Sequence, residues 1–324
     1  MAWDEILGHE LVKRMWQTHL THERIPNAYL LTGPEGVGKR RLALEMAKAL
    51  NCTSNAPRPC DTCPTCLKIG KQMHPDVHVL APGGAAQQIR IEDIRHVIGR
   101  ISLRPYSARK QVVVIDGAER LTEEAANSLL KSLEEPSAST HFLLVTAHLA
   151  HCLPTVRSRC QIIRCEPLSR DAVQQILIQG HGCEPGMAAV IARLCGGSVS
   201  RAIELAQQWA AYQRLLEQFA DPSAARWIGT AMPETRQEVV QLLDGMTGWL
   251  RDLAVTAVAN PQWVTHVSQQ RSISTQAADL DIDRCVATAF ELLALRDSIE
   301  QFVSPRLVAS LAREKWLTLV ASDR

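Results

Sequence analysis

The sequence predicts an α/β fold, a parallel sheet wrapped by helices, followed by a helical region of a different kind. Three observations point there. Short β-branched runs alternate with helical patterns through the first half of the 324 residues, and a glycine-rich loop falls between one run and a helix. Past Pro167 the β-rich runs stop.

The predicted strands cover 28–32, 77–80, 112–115, 142–146 and 161–165. After the glycine loop, Leu42, Ala43, Met46, Ala47 and Leu50 recur at helical spacing. A second helix is marked by Thr122 as its cap, by Glu123 and Glu124 at its positive end, and by a buried face of Leu129, Leu130 and Leu133. Pro136 stops it. Beyond Pro167, short helices are expected over 168–179 and 187–194, with Gly196-Gly197 breaking the chain before another at 200–209. From about Tyr212 onward the sequence is rich in Ala, Leu and Gln with helical periodicity, punctuated by Pro222, Pro233, Pro261 and Pro305. Three domains are expected: 1–166, 167–209 and 210–324.

Lys and Arg number 35 against 34 Asp and Glu, a net charge of +1, which argues against a protein that coats nucleic acid by charge alone. The amino terminus shows no basic-then-apolar leader, and no apolar run approaches the roughly 20 residues a membrane helix needs. Ten cysteines without a leader point to a reducing compartment, where clustered thiols are more often metal ligands than disulfides. A soluble, cytoplasmic chain is expected.

Gly33-Pro34-Glu35-Gly36-Val37-Gly38-Lys39-Arg40 has the form of a phosphate-binding loop. Gly33, Gly36 and Gly38 let successive N–H groups turn inward, and Lys39 would meet the outer phosphates of ATP or ADP. The same string is compatible with a glycine-rich turn carrying a surface lysine. The pattern calls for Ser or Thr after the lysine, because that hydroxyl coordinates magnesium; here Arg40 stands there. Asp116 closes a strand where it could hold the ion, although an Asp at that place also serves as a turn cap. Many ATPases of this shape carry a water-polarising glutamate next, where this chain has Gly117. Nucleotide binding is compatible with these residues and rapid hydrolysis is not, unless another hydroxyl such as Thr32 substitutes. Glu119 could serve chemistry or merely begin the next loop, and the loop reading is preferred.

Cys52, Cys60, Cys63 and Cys66 form C-x7-C-x2-C-x2-C, and two-residue steps let thiolates face one ion. Four sulfurs leave no open position, so the expected zinc is structural; four ordinary reduced thiols are the alternative. Pro59, Asp61, Pro64 and Thr65 between them suit tight turns. Arg157 and Arg159, just before the last predicted strand, read on composition alone as solvated loop residues.

Several strings taken together resemble the bacterial AAA+ clamp-loader family of DNA polymerase III, most densely its delta-prime branch. They include Ile6-Leu7-Gly8-His9, 28–39, the four cysteines, His74-Pro75-Asp76, 115–119, 127–136 with Ser128 and Ser132 as departures, and Ser158-Arg159-Cys160. The match is dense over about 1–165; further on, Ser304-Pro305-Arg306-Leu307 is similar to a collar helix of the family. The resemblance implies an AAA+ domain with an inserted four-cysteine zinc module, a helical lid and an oligomerising helical collar. It implies assembly with delta and gamma/tau subunits around the sliding clamp and primed DNA. It also makes Arg159 an arginine finger acting in trans on a neighbour's ATP. Ser200 falls where the ATPases carry a second sensor arginine, and Arg201 is offset by one. The competing expectation is a gamma/tau-like subunit that hydrolyses ATP itself.

Overall fold

The computed structural model describes residues 3, 6–22, 24–54, 58–84, 86–137, 139–221, 232–259, 263–278, 280–300 and 303–321. Pro222 and Pro261 lie outside them. The chain divides into two compact units, Met1–Gly180 with Cys195–Arg201 and His181–Leu194 with Ala202–Arg324.

In the first unit, a helix α1 (Glu10–Thr21) precedes strand β1 (Ala28–Thr32), followed by α2 (Lys39–Asn51), α3 (Pro64–Gly70), β2 (Val77–Leu80) and α4 (Ile91–Ile101). Then come β3 (Gln111–Asp116), α5 (Glu123–Glu134), β4 (Thr140–Thr146), the short α6 (Pro154–Arg157), β5 (Gln161–Arg164) and α7 (Arg170–His181). The five strands pair in parallel in the order β2-β3-β4-β1-β5. This is the α/β architecture expected, and all five predicted strands are present. β3 and β4 run longer than their apolar runs because Gln111 and Thr140, both polar, continue the ladder.

Both faces of the sheet are buried, as the near-continuous apolar strands require. Leu30, Val113, Ile115, Phe142 and Leu144 pack on one face with Ile94 and Val97 of α4 and Leu129 and Leu133 of α5. By strand alternation Tyr29, Leu31, Val112, Val114 and Leu143 point the other way, and all are buried. Thr122 caps α5 as predicted, its side chain accepting the Ala125 N–H at 3.2 Å. Asp76 of the His74-Pro75-Asp76 string has a structural task. Its carboxylate accepts the backbone N–H of Tyr106 at 2.7 Å and of Ser107 and Ala108 at 2.8 Å, pinning the segment before β3.

The regular elements of the second unit are all helices: α8 (Pro185–Leu194), α9 (Val199–Gln207) from Ala202 onward, α10 (Trp209–Ala220), α11 (Arg236–Val258), α12 (Gln270–Ala278), α13 (Ile282–Glu300) and α14 (Pro305–Ala321). Its core holds Tyr212, Phe219, Met246, Trp249 and Trp316, with the rings of Phe219 and Trp316 4.9 Å apart. Inside it, Asp252 accepts the N–H groups of Thr265 and His266 and pairs with His266 Nδ1 at 2.8 Å. His266 Nε2 in turn meets the Tyr212 hydroxyl at 2.8 Å. α11 opens with a capping box between Thr235 and Glu238. On α13, Val286, Phe290 and Leu293 remain exposed at spacings of four and three, hence on one helix face. No helix among the described residues is long and apolar enough to cross a membrane.

Candidate functional site

The glycine loop runs from the C-terminal end of β1 into α2, in the strand–loop–helix order that a phosphate loop needs. Gly33 and Gly36 are there for shape. A Cβ on Gly33 would sit 2.1 Å from the Cys165 carbonyl oxygen, and one on Gly36 would sit 2.2 Å from Ser198 Oγ at a φ of +76°. Gly36 is also strapped, since its carbonyl accepts the N–H groups of Val199 at 2.8 Å and Ser200 at 3.2 Å. His9 Nε2 reaches the Val37 carbonyl at 2.8 Å, so the Gly8-His9 string belongs to the loop's support. α2 starts at Gly38 with no side-chain cap and no acidic residue in its first turn.

Lys39 is only 6% exposed and curls back into the loop, its Nζ donating to the carbonyls of Gly33 at 2.7 Å and Pro34 at 2.6 Å. Burial lowers its pKa, opposed by the nearby Cys165, Glu119, Glu35 and Asp116. The loop borders a cleft of about 380 Å³ closed by the ends of β3 and β4, with Gly36, Lys39, Arg40, Asp116, Glu119 and Thr146 in its walls. Ser200 lines it too.

Arg40 and Asp116, 76 positions apart in sequence, meet here. Arg40 Nη1 lies 3.4 Å from Asp116 Oδ2, and its Nη2 donates to Gln72 Oε1 at 3.2 Å. Burial raises the Asp116 pKa, although Arg40 and Lys39 pull it down. Glu119, read from sequence as a loop residue, lines the cleft; one carboxylate oxygen accepts the Ala147 N–H at 3.2 Å and the other is buried without a partner. Thr32 is not among the residues lining the cleft.

At the opposite end of α2 the four cysteines converge. Cys52 is the helix C-cap, and the sulfurs of Cys52, Cys60, Cys63 and Cys66 all lie within 4.8 Å of one another. A tetrahedral zinc–sulfur shell with bonds near 2.3 Å has edges of about 3.8 Å, so the set needs only small adjustments to close on one ion. Backbone N–H groups already point at the sulfurs, Cys63 N to Cys60 Sγ at 3.3 Å and Cys66 N to Cys63 Sγ at 3.4 Å. The Thr62 hydroxyl and the N–H groups of Cys63 and Thr62 bring the Cys60 thiol down to about 6, while burial pushes Cys52 and Cys66 up. Pro64 and Thr65, read as turn residues, form the first turn of α3, with Cys63 as its N-cap. Lys48 ties the corner to the helix through Glu45 at 2.6 Å and Asp61 at 2.8 Å.

Arg159 is not among the residues lining the cleft. It sits past α6, one-third exposed, where Nε donates to Glu134 Oε1 at 2.7 Å and Nη1 to the Thr155 carbonyl at 2.9 Å. Glu134, at the end of α5, is a partner the sequence did not disclose.

The family model described as DNA polymerase III, delta subunit, matches residues 8–169. A delta' subunit of DNA polymerase III from Pseudomonas aeruginosa is 34% identical over 244 residues, covering 71% of this chain and 72% of that protein. The chain belongs to the DNA polymerase III delta-prime family. The Bacillus subtilis delta' subunit is 32% identical over 210 residues, spanning 64% of this chain but only 62% of the relative. A tau subunit from Salmonella typhimurium aligns over 210 residues at 32% identity, covering 63% of this chain and 32% of tau. The five-stranded parallel sheet with its glycine loop is thus the fold of a chain related to the delta' and tau subunits of DNA polymerase III.

Proposed function

We propose that this chain acts as the delta-prime member of a bacterial clamp loader, a subunit that does not hydrolyse ATP and stimulates hydrolysis by a neighbour. The observation that carries this reading is the Arg40–Asp116 pair. Hydrolysis by a phosphate loop needs magnesium held by the loop hydroxyl and the strand carboxylate. Here the hydroxyl is missing and the carboxylate is already engaged by a guanidinium. Gly117 supplies no base.

On the same reading, Arg159 is the arginine finger presented in trans to ATP on a gamma or tau subunit. Its pairing with Glu134 keeps the guanidinium extended at the surface until a more strongly charged phosphate competes for it. The four cysteines hold structural zinc, which orders a segment with few apolar residues of its own. Residues 167–209 serve as the lid and 210–324 as the collar, whose exposed Val286, Phe290 and Leu293 suit helix-to-helix packing against other subunits. The assembly, with delta and gamma or tau, places the sliding clamp on primed DNA in the cytoplasm.

Single-turnover phosphate release from Mg-ATP by the purified chain tests the proposal, and only background release is expected. A gamma/tau-like ATPase is the second reading, favoured by the preserved Lys39 and by the tau relative's identity over the same length. Release that disappears in Lys39→Ala would support it and end the first.

A further inference from the structure

The four sulfurs of the cysteine corner come from three different pieces of chain. Cys52 caps the end of α2, Cys60 and Cys63 flank a short loop, and Cys66 lies inside α3. Donors carried by separate pieces lose freedom when one ion gathers them, so a contact that fixes the pieces beforehand favours metal retention.

One side chain reaches all three. Lys48 stands four residues before Cys52, hence on the same side of α2. Its ammonium donates within the helix to Glu45 Oε1 at 2.6 Å and across to Asp61 Oδ1 at 2.8 Å. Asp61 follows Cys60 directly and holds a left-handed φ of +54°. At the last residue of α3, Gly70 lies against the same lysine. A Cβ there would come within 3.3 Å of Lys48 Cε and 3.5 Å of its Nζ. The Lys48 side chain is only 11% exposed. Burial pulls its pKa down, but the hydrogen bonds with Asp61 and Glu45 outweigh this and raise it, so the ammonium stays charged. A solvated ion pair here would be worth little, whereas a sheltered one is costly to break, because the partner left behind keeps an unanswered charge.

We propose that Lys48 is the positioning residue of the cysteine corner. It sets the Cys60–Cys63 loop and α3 against the end of α2, at the separation from which all four sulfurs close on one zinc ion. This rests on the reading of the four cysteines as a zinc site. The loop must break its contact with the ammonium before Cys60 and Cys63 can swing away, so Lys48 slows the loss of metal.

The test follows zinc release from the full chain to a chromophoric chelator, beside the zinc content and the thermal unfolding of the metal-free chain. The unaltered chain is expected to carry one zinc and to release it slowly. Lys48→Met is expected to release it about tenfold faster or more, the range for losing a partner that orients a metal ligand. Because that variant also strands the Glu45 carboxylate, Asp61→Asn serves as the second. It keeps the Lys48–Glu45 pair, suits the left-handed backbone and removes only the charge that faces the ammonium across the loop. It is expected to speed release by a smaller factor while the metal-free chain melts as before, which a general support of the fold would not allow. The double variant should be no faster than Lys48→Met alone, since both act through one contact. Unchanged release in Asp61→Asn, a fall in its metal-free melting temperature, or factors that multiply in the double variant would overturn the inference and leave the zinc site standing. An unaltered chain that binds no zinc would overturn both.

Discussion

The two ends of helix α2 treat positive charge in opposite ways. At its N-terminus, where a helix favours anions, the chain has placed three cations and set one of them against the strand carboxylate. At its C-terminus, where a helix favours cations, four thiols converge and only Lys48 stands nearby, paired with Glu45 and Asp61. One end sets a guanidinium against a carboxylate. The other gathers four sulfurs within 4.8 Å of one another, a set that could hold a metal ion. Within a single 13-residue helix, a few side chains decide that one end pairs its charges internally while the other gathers donors that could hold a metal ion.

The widest difference should appear on metal removal. Stripping zinc, or changing Cys66→Ser, is expected to release the metal and melt the segment between α2 and α3. Zinc binding is worth about 10–16 kcal/mol in small zinc peptides. Metal content per chain and thermal unfolding would show it, and a metal-free chain that melts unchanged would erase the contrast between the helix ends.

Next in size is Arg159→Ala, expected to lower ATP turnover of the assembled ring by about 10³–10⁵-fold, the range for arginine fingers, with ring assembly retained. Steady-state ATPase measurement of the reconstituted complex checks it. Unchanged turnover would mean that Arg159 is not an arginine finger.

Asp76 offers an anionic counterpart to Arg40, a buried charge answered by fixed donors. Burial pushes its pKa up, but the N–H groups of Tyr106, Ser107 and Ala108 outweigh this and hold it below the usual carboxylate range. Its folded pKa is therefore depressed. Its stabilisation is present above the unfolded value near 3.9 and is lost as pH falls through the lower folded value. Acid titration followed by circular dichroism should show Asp76→Asn less stable by about 1–3 kcal/mol at neutral pH, with the gap to the unaltered chain closing under acid.

The smallest effect belongs to Glu134→Gln. The pair with Arg159 is largely solvated, so global stability should move by less than about 1 kcal/mol. A large fall in melting temperature would mean that Glu134 supports the fold rather than Arg159.

The strands were legible because a sheet buried on both faces leaves unbroken β-branched runs, as in Val112-Val113-Val114-Ile115. α4 was missed although Ile91, Ile94, Val97 and Ile101 carry a helical period. α1 hid for a different reason, since its buried residues are few: Val12, Lys13 and Trp16. At the site, the sequence named Lys39, Asp116, the four cysteines and Arg159 as residues of interest. It could not show that Arg40 finds Asp116 and Gln72, or that Arg159 finds Glu134, because those pairings depend on which strand ends and helix ends become neighbours. Glu119 was read as a loop residue because nothing local reveals that β4 ends beside it. Ser200 was legible as a position of interest, but not as part of a strap on Gly36.

That strap and the Cys165 carbonyl have a consequence for how such a chain can drift. Whether or not it splits ATP, the chain could not exchange Gly33 or Gly36 for a larger residue, since the new carbon would land on backbone or hydroxyl oxygen barely 2 Å away. Arg40, at the surface of the same loop, faces no such wall. Mutation can therefore erase the chemistry while sterics preserve its outline, and the surviving glycines testify to packing rather than to turnover.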